Sequence, residues 1–270
     1  MTILKTAAGL LLLIALLYLA LSGWLYFKQR ELIYYPQFTR AGLPTADLEL
    51  PVDGAVLRGW VANPGRRDAV VYFGGNAESV HALRNELAQW FPDRSVYLLP
   101  YRGYGASGGE PSEQALLADA LVLYDHVRSA HPDGSIAVIG RSLGSGVASY
   151  LAAHRPVSAL VLVTPFDSMA RLAQSHYPFL PAQWLIRERF ESARHLRQYR
   201  GPVLIVRASE DVIVPAERTR SLIQALPMEP EVVEIAGSDH NNISAVREYG
   251  QAIVEFIDAS TPQPRAVASP

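Results

Sequence analysis

Residues 136–154, IAVIGRSLGSGVASYLAAH, join a short apolar run to a helical pattern through Gly140-Arg141-Ser142-Leu143-Gly144. A G-x-S-x-G string in this context is typical of a sharp strand-to-helix turn that exposes its serine. The glycines are needed because side chains two residues from the strained serine would collide. The pattern predicts that Ser142 is a nucleophile above the carboxyl end of a sheet, where a helix N-terminus favours negative charge. The alternative is an ordinary serine at a glycine-rich helix start.

A serine nucleophile needs a histidine base, which in turn needs an acid to orient it. Three histidines follow the serine outside its helix: His176, His195 and His240. His240 lies in the polar loop GSDHNN after the last predicted strand, whereas the other two lie in an inserted segment and are structural or line a pocket. Asp211 follows the predicted strand VLIVRA directly. The chain order Ser142, Asp211, His240 is that of one known catalytic arrangement.

Three other carboxylates compete with Asp211 for the acid's role. Glu210 is its neighbour in the chain, and its side chain should point elsewhere. Asp167 follows the preceding strand and is the less favoured choice. Asp239 abuts His240, but adjacent loop residues seldom aim at one another, so we expect it at the surface or in a cap.

An acyl-transfer site also needs backbone donors for an oxyanion. The N–H of Leu143, directly after the nucleophile, is one predicted donor. The loop Phe73-Gly74-Gly75-Asn76-Ala77-Glu78 follows an early strand, and its glycines let the backbone approach a substrate, which makes the N–H of Asn76 the second. The alternative is a plain Gly-Gly turn.

Short apolar runs alternate with helical patterns from residue 69 onward. The runs lie at 69–73, 95–100, 136–140, 159–164, 203–208 and 232–236, and the helical patterns at 79–91, 112–130, 144–154, 215–226 and 243–259. Near-continuous apolar strands separated by helices predict an α/β fold with a mainly parallel sheet and helices on both faces. An antiparallel pair around 48–52 and 56–62 precedes them.

Residues 165–199 interrupt this alternation between two core strands. The segment is rich in apolar and aromatic side chains, which predicts a small helical cap over the sheet edge. We expect Tyr177, Phe179 and Trp184 of this cap to contact substrate.

An uncharged, nearly all-apolar segment occupies residues 7–27, between Lys5 and Lys28. Twenty-one helical residues span about 31 Å, which matches a hydrocarbon core of about 30 Å. We interpret the segment as an N-terminal, single-pass transmembrane helix that localises the protein to a membrane. The alternative is a secreted protein whose signal peptide is cleaved near Ala20-Leu21-Ser22. The few flanking charges leave the side of the membrane open.

The chain thus divides into an anchor at 7–27, a juxtamembrane connector at 28–46, an α/β domain at 47–259 and a tail at 260–270. The tail, rich in Pro, Ala and Ser, is predicted to be disordered.

Composition excludes several classes of function. Lys plus Arg is 24 and Asp plus Glu is 26, a net charge of −2, which argues against a nucleic-acid partner. Without cysteine, thiolate metal sites and a cysteine nucleophile are excluded. A G-x-G-x-x-G match at 103–108 is weak as a dinucleotide motif, because the loop runs on to Pro111 and no acid follows a second strand. We expect neither a cofactor nor a metal.

Several motifs together resemble the α/β-hydrolase superfamily over residues 48–259. GRSLGSG looks like its nucleophile elbow, EDVIVP and GSDHNN like its acid and histidine loops, and YRGYGASGGEPSE like its loop after the fourth strand. The N-terminal anchor with QRELIYYP, FGGNAES and HYPFLP is similar to the single-pass, membrane-anchored branch whose relatives include protein depalmitoylases. Two departures stand out: Gly74 occupies the place of the family's usual histidine, which braces the oxyanion loop, and Pro100 that of a common Asp.

The resemblance implies an α/β-hydrolase fold and a serine hydrolase that acts on a small-molecule or lipid-like acyl substrate, as an ester or thioester. Peptide or amide cleavage is the second hypothesis. An acidic cap cluster for a free amino terminus would favour it, and beyond Asp167 at its start only Glu188 and Glu191 lie there. The third is a catalytically silent module that binds a membrane partner.

Overall fold

The computed structural model describes residues 2–261 and confirms the α/β-hydrolase fold. Its central sheet has the order β1-β2-β4-β3-β5-β6-β7-β8 across these residues. The first two pairings are antiparallel and the rest are parallel. The strands are β1 Leu48–Val52, β2 Ala55–Ala62, β3 Asp68–Phe73, β4 Arg94–Leu98, β5 Ile136–Arg141, β6 Ala159–Val163, β7 Val203–Ala208 and β8 Glu231–Ile235.

Helices cover both faces of the sheet because its central strands are apolar on both sides. Every residue of β4 and β6 is buried, and a separate apolar cluster forms on each face, one around α3 and α4 and the other around α2 and α9. The helices are α1 Thr2–Ile33, α2 Arg84–Trp90, α3 Glu113–Ala130, α4 Leu143–His154, α5 Met169–His176, α6 Ala182–Leu185, α7 Ser192–His195, α8 Ala216–Ala225 and α9 Arg247–Ser260.

Two predicted helices begin later than their patterns indicate. The pattern at 79–91 opens with a 3₁₀ turn, Val80–Leu83, before α2. The pattern at 243–259 likewise opens with a 3₁₀ turn, Ile243–Ala245. Val246 is extended, with φ −91° and ψ 130°, so α9 begins only at Arg247. The predicted disordered tail falls mainly on residues 262–270, which lie outside the described residues.

The first helix, α1, is longer than the apolar segment 7–27 and runs on to Ile33. In the polar extension, Lys28 and Glu31 pair at 2.7 Å across one turn, which favours the helix. Within residues 2–261, α1 is the one helix long and apolar enough to cross a membrane. It is therefore a candidate membrane span.

The cap (residues 165–199) contains α5, α6 and α7 and is fastened to the domain by two buried side chains. Phe190 is fully buried and fills the space over Gly146 of α4, where an added Cβ would lie 2.9 Å from Phe190 Cβ. Glu188 accepts hydrogen bonds from Arg30 Nε at 2.8 Å, Tyr34 Oη at 2.7 Å and the N–H of Glu113. Glu188 therefore links the cap to both α1 and α3.

Phe190→Ala should lower the free energy of unfolding by about 3–5 kcal/mol, the usual effect of removing a buried phenylalanine. Phe179 lies in the same cap but is 91% exposed, so Phe179→Ala should stay within about 0.5 kcal/mol. Thermal unfolding of the detergent-solubilised full chain measures both. Equal shifts for the two variants would contradict the role assigned to Phe190.

Candidate active site

Ser142 occupies a strained turn between β5 and α4, with φ 50° and ψ −114°. The turn is tight because α4 begins against the end of β3. A Cβ on Gly144 would lie 2.1 Å from the carbonyl oxygen of Phe73, and one on Gly140 would lie 2.4 Å from the carbonyl oxygen of Gly144. Only glycine fits at both places, which is the physical reason for the G-x-S-x-G string.

The structure brings together the three residues predicted to form a triad. His240 Nε2 lies 2.9 Å from Ser142 Oγ, and His240 Nδ1 lies 2.8 Å from Asp211 Oδ2. The histidine and aspartate side chains are only 9% and 7% exposed. Three loops at the carboxyl ends of β5, β7 and β8 supply them, as parallel strands in register require.

Backbone hydrogen bonds orient the carboxylate of Asp211, which in turn sets the tautomer of His240. Asp211 Oδ1 accepts hydrogen bonds from the N–H groups of Ile213 at 2.9 Å and Val214 at 2.7 Å, which turns Oδ2 toward His240. A carboxylate only accepts, so His240 Nδ1 carries the hydrogen and its Nε2 lone pair faces the serine hydroxyl. This arrangement can take a proton from Ser142.

The competing histidines have other partners. His176 Nε2 donates to the carbonyl of Ile213 at 2.8 Å, which ties α5 to the acid loop. The ring of His195 packs edge-on against Tyr150, with 5.1 Å between the ring centroids. Burial lowers the pKa of His195, and the nearby His154 lowers it further. Neither lies at the serine.

Two of the competing carboxylates, Asp167 and Asp239, are also occupied. Asp167 is buried and pairs with Arg218 at 3.2 Å and Arg171 at 3.3 Å. Asp239 Oδ1 accepts hydrogen bonds from the N–H groups of Asn242 at 2.9 Å and Asn241 at 2.7 Å, and these bonds lower its pKa. It shapes the loop that carries His240 and does not contact the ring.

The two predicted oxyanion donors flank the serine. Leu143 opens α4, and the glycine preceding Asn76 is so close that its Cβ would lie 3.8 Å from Ser142 Cβ. Neither the N–H of Leu143 nor that of Asn76 donates to an acceptor within residues 2–261. Hydrogen bonds fix the other polar groups of Asn76. Its carbonyl accepts from Tyr104 Oη at 2.8 Å, and its side chain donates to the carbonyl of Ile33 at 3.2 Å.

Two further residues brace the site and were missed by the sequence analysis. Glu78 Oε2 accepts from the N–H of Gly75 at 2.6 Å, and Glu78 Oε1 lies 2.6 Å from Arg141 Nη1. Arg141 Nη2 also donates to the carbonyl of His240 at 3.1 Å. Burial alone would lower the pKa of Arg141, but the adjacent Glu78 raises it above its usual value. The ion pair thus connects the oxyanion loop to the histidine loop.

Gly74, the departure from the family's histidine, makes room for this brace. A Cβ on Gly74 would lie 2.7 Å from Val80 Cγ1 and 3.1 Å from Glu78 Oε2. The carbonyl of Gly74 also accepts from Tyr101 Oη at 2.8 Å. The loop is supported here by a carboxylate and a tyrosine.

The predicted substrate contacts divide into two groups. Tyr177 lines an apolar slot between the cap and α1. Phe179 and Trp184 do not line it and are 91% and 78% exposed at the outer surface of the cap.

Comparisons with known proteins agree with this fold. The family model described as serine aminopeptidase, S33, matches residues 64–194. The uncharacterized protein Rv2307c of Mycobacterium tuberculosis is 36% identical over 248 residues, covering 85% of this chain and 87% of that protein. The alpha/beta hydrolase domain-containing protein WAV2 of Arabidopsis thaliana is 28% identical, covering 79% and 78%.

The esterase Pf2001 of Pyrococcus furiosus superposes with a TM-score of 0.64 at 17% identity, covering 85% of this chain and 95% of that one. The fold and the sequence relatives define the class: this chain belongs to the α/β-hydrolase superfamily.

Gly144→Ala tests the close approach that shapes the turn. Alanine favours a helix over glycine by about 1 kcal/mol, yet its Cβ would lie 2.1 Å from a backbone oxygen, so we expect a net loss of about 1–3 kcal/mol. Gly108→Ala is the control, because its Cβ would meet nothing nearer than 3.7 Å. Thermal unfolding compares them, and an unchanged or higher melting temperature for Gly144→Ala would contradict the packing argument.

Proposed function

We propose that this protein is a membrane-anchored serine hydrolase that cleaves carboxylic ester or thioester bonds through an acyl-enzyme. The observation that carries the proposal is the continuous Asp211–His240–Ser142 hydrogen-bond chain, which ends at a serine held in a positive-φ turn at a helix N-terminus. This combination of nucleophile, base and orienting acid defines acyl-transfer chemistry.

In the first half-reaction, Ser142 Oγ attacks the carbonyl carbon of the substrate while its proton moves to His240 Nε2. Asp211 holds the imidazole in place and stabilises its positive charge. The N–H groups of Leu143 and Asn76 donate to the oxyanion that forms on the carbonyl oxygen. The intermediate collapses as His240 returns the proton to the departing alcohol or thiol, leaving an ester on Ser142.

In the second half-reaction, His240 takes a proton from water, and the hydroxide attacks the acyl-enzyme carbonyl. The same two N–H groups bind the second oxyanion. The acid product leaves when His240 protonates Ser142 Oγ. The chain's own residues supply every proton transfer, and the proposed mechanism needs neither metal nor cofactor.

Contacts between α1 and the cap favour an uncleaved anchor over a signal peptide. Tyr18 Oη donates to the carbonyl of Phe179 at 3.2 Å, and Ser22 and Gln29 are buried. Cleavage near Ala20-Leu21-Ser22 would remove the Tyr18 contact and expose the cap surface beneath it. We therefore propose that α1 stays attached as a membrane anchor.

Peptide cleavage from a free amino terminus is the alternative that the family's description raises. It needs unpaired carboxylates near the site to bind the amine. Glu188 is engaged by Arg30 and Tyr34, and Glu191 pairs with Arg194 at 3.0 Å and Arg189 at 3.4 Å. These partners favour an ester or thioester substrate over an amine-terminated peptide.

Labelling of membrane fractions with a fluorophosphonate probe tests the activated serine. We expect the wild type to be labelled and both Ser142→Ala and His240→Ala to lose labelling. In hydrolysis of p-nitrophenyl esters, Asp211→Asn should lower kcat by about 10⁴-fold, because the wrong tautomer then faces the serine.

Asp239→Asn is the matched control, since asparagine keeps the oxygen that accepts the two backbone N–H groups, and it should retain activity. A folded wild type that neither reacts with the probe nor hydrolyses any ester or acyl thioester would overturn the proposal and favour the silent binding module.

Glu78→Gln should lower kcat about tenfold to a hundredfold with little change in KM, because misplacement of a site by about 1 Å can cost about 10²-fold. Glutamine keeps the size and an acceptor for Gly75 but loses the charge that pairs with Arg141. Glu49→Gln, which removes an exposed ion pair with Arg58 at the far edge of the sheet, is the control for the loss of one surface charge. A lower melting temperature with unchanged kcat would show a purely structural role.

A further inference from the structure

An apolar slot lies between α1 and the cap, next to the proposed active site. We define it by six of its lining residues: Leu25, Leu32 and Ile33 from α1, Leu172 and Ala173 from α5, and Ile213 from the acid loop. Its volume is ≈ 240 Å³, larger than an engineered apolar cavity of about 150 Å³ that binds benzene. The slot can hold an alkyl chain.

Two lining residues of the slot are bonded to the catalytic loops. Ile213 donates its N–H to Asp211, and Ile33 accepts a hydrogen bond from the side chain of Asn76. One end of the slot therefore lies beside the acid loop and the oxyanion loop, which flank Ser142.

The face of α1 toward the cap is not that of a simple lipid-facing anchor. Tyr18, Ser22, Leu25, Gln29 and Leu32 repeat at intervals of four and three residues, which places them on one stripe of the helix. Gln29 Oε1 accepts from the N–H of Arg187 at 2.6 Å, and its Nε2 donates to the carbonyl of Leu185 at 3.4 Å. These polar contacts fix α1 as one wall of the slot.

The outer part of the cap reaches deep along the apolar segment. Phe179 is bonded to Tyr18, nine residues before Phe27, which is about 13 Å along a helix. With residues 7–27 in a hydrocarbon core of about 30 Å, Phe179 lies within the bilayer. Its exposed ring then contacts lipid.

We propose that the slot binds the acyl chain of a carboxylic ester that enters directly from the bilayer, with α1 forming one wall. This inference rests on the proposed function and deepens it by naming the substrate class as long-chain acyl esters. The occupant is a lipid chain because the slot is apolar and one of its walls is the membrane helix itself.

Hydrolysis of C4 and C12 p-nitrophenyl esters by the full chain in phosphatidylcholine vesicles tests the slot. Leu25→Trp and Ala173→Phe fill it from opposite walls. Since each buried methylene adds about fourfold to binding, both variants should lose at least about tenfold in kcat/KM for C12 and keep C4 within about twofold. Leu16→Trp is the control, because it lies nine residues from Leu25, half a turn round the helix, and is 55% exposed.

A binding measurement separates failure of the slot from failure of the chemistry. Ser142→Ala protein is irradiated with a diazirine-bearing fatty-acyl ester, and the labelled peptides are mapped. Labels on residues 25–33 and 169–186, abolished by Leu25→Trp, would support the slot even if no ester is hydrolysed. Labels confined to the Leu16 face of α1 would overturn the slot proposal, and so would C12 turnover that neither filling variant affects. Fluorophosphonate labelling reports separately on whether Ser142 is active.

Entry from the bilayer has its own readout. The fluorescence difference between Phe179→Trp and the wild type isolates a tryptophan at this position, and we expect lipids brominated on their acyl chains to quench it. Quenching by aqueous acrylamide instead of brominated lipid would place the cap in water and overturn the entry route.

Discussion

The close approach of α4 to the end of β3 is the constraint on which the site depends. The first turn of α4 lies so near the carbonyls of Phe73 and Gly74 that no side chain fits at Gly144. The chain can leave β5 and enter α4 in this space only through a positive-φ residue, and Ser142 is that residue. Its N–H is bonded to the carbonyl of Val163 on β6 at 2.9 Å, so the neighbouring strand holds the strain in place.

Around this turn, the reacting groups and their supports form separate networks. In the proposed mechanism, the hydrogen-bonded chain from Asp211 through His240 to Ser142 carries the proton transfers. A second chain, from Gly75 through Glu78 and Arg141 to the backbone of His240, contacts no reacting atom but links both loops that flank the serine. Because the pair is mostly buried, its charges are weakly screened, and the loops keep their spacing.

The fold and the three triad loops could be predicted because each is encoded locally, as an apolar run followed by a turn with characteristic residues. The ion pair of Glu78 and Arg141 could not, since it joins positions 63 residues apart and neither carries a distinctive motif. The prediction that Phe179 and Trp184 contact substrate rests on the apolar and aromatic character of the cap. Beside a membrane helix, the same residues fit a lipid environment equally well. Ser22 and Gln29, two polar residues seven apart on α1, were the available sign that this helix packs against protein.

The buried carboxylate of Glu188 has a consequence for how the protein sits in the cell. It binds Arg30 and Tyr34 on one side and the start of α3 on the other. These bonds fix the orientation of the juxtamembrane region relative to the α/β domain. With α1 spanning the membrane as proposed, Ser142 is held at one height and one tilt relative to the lipid headgroups. Selectivity then has a geometric component: among otherwise equivalent esters, a hydrolase held in this way discriminates by how far the scissile bond stands from the membrane plane.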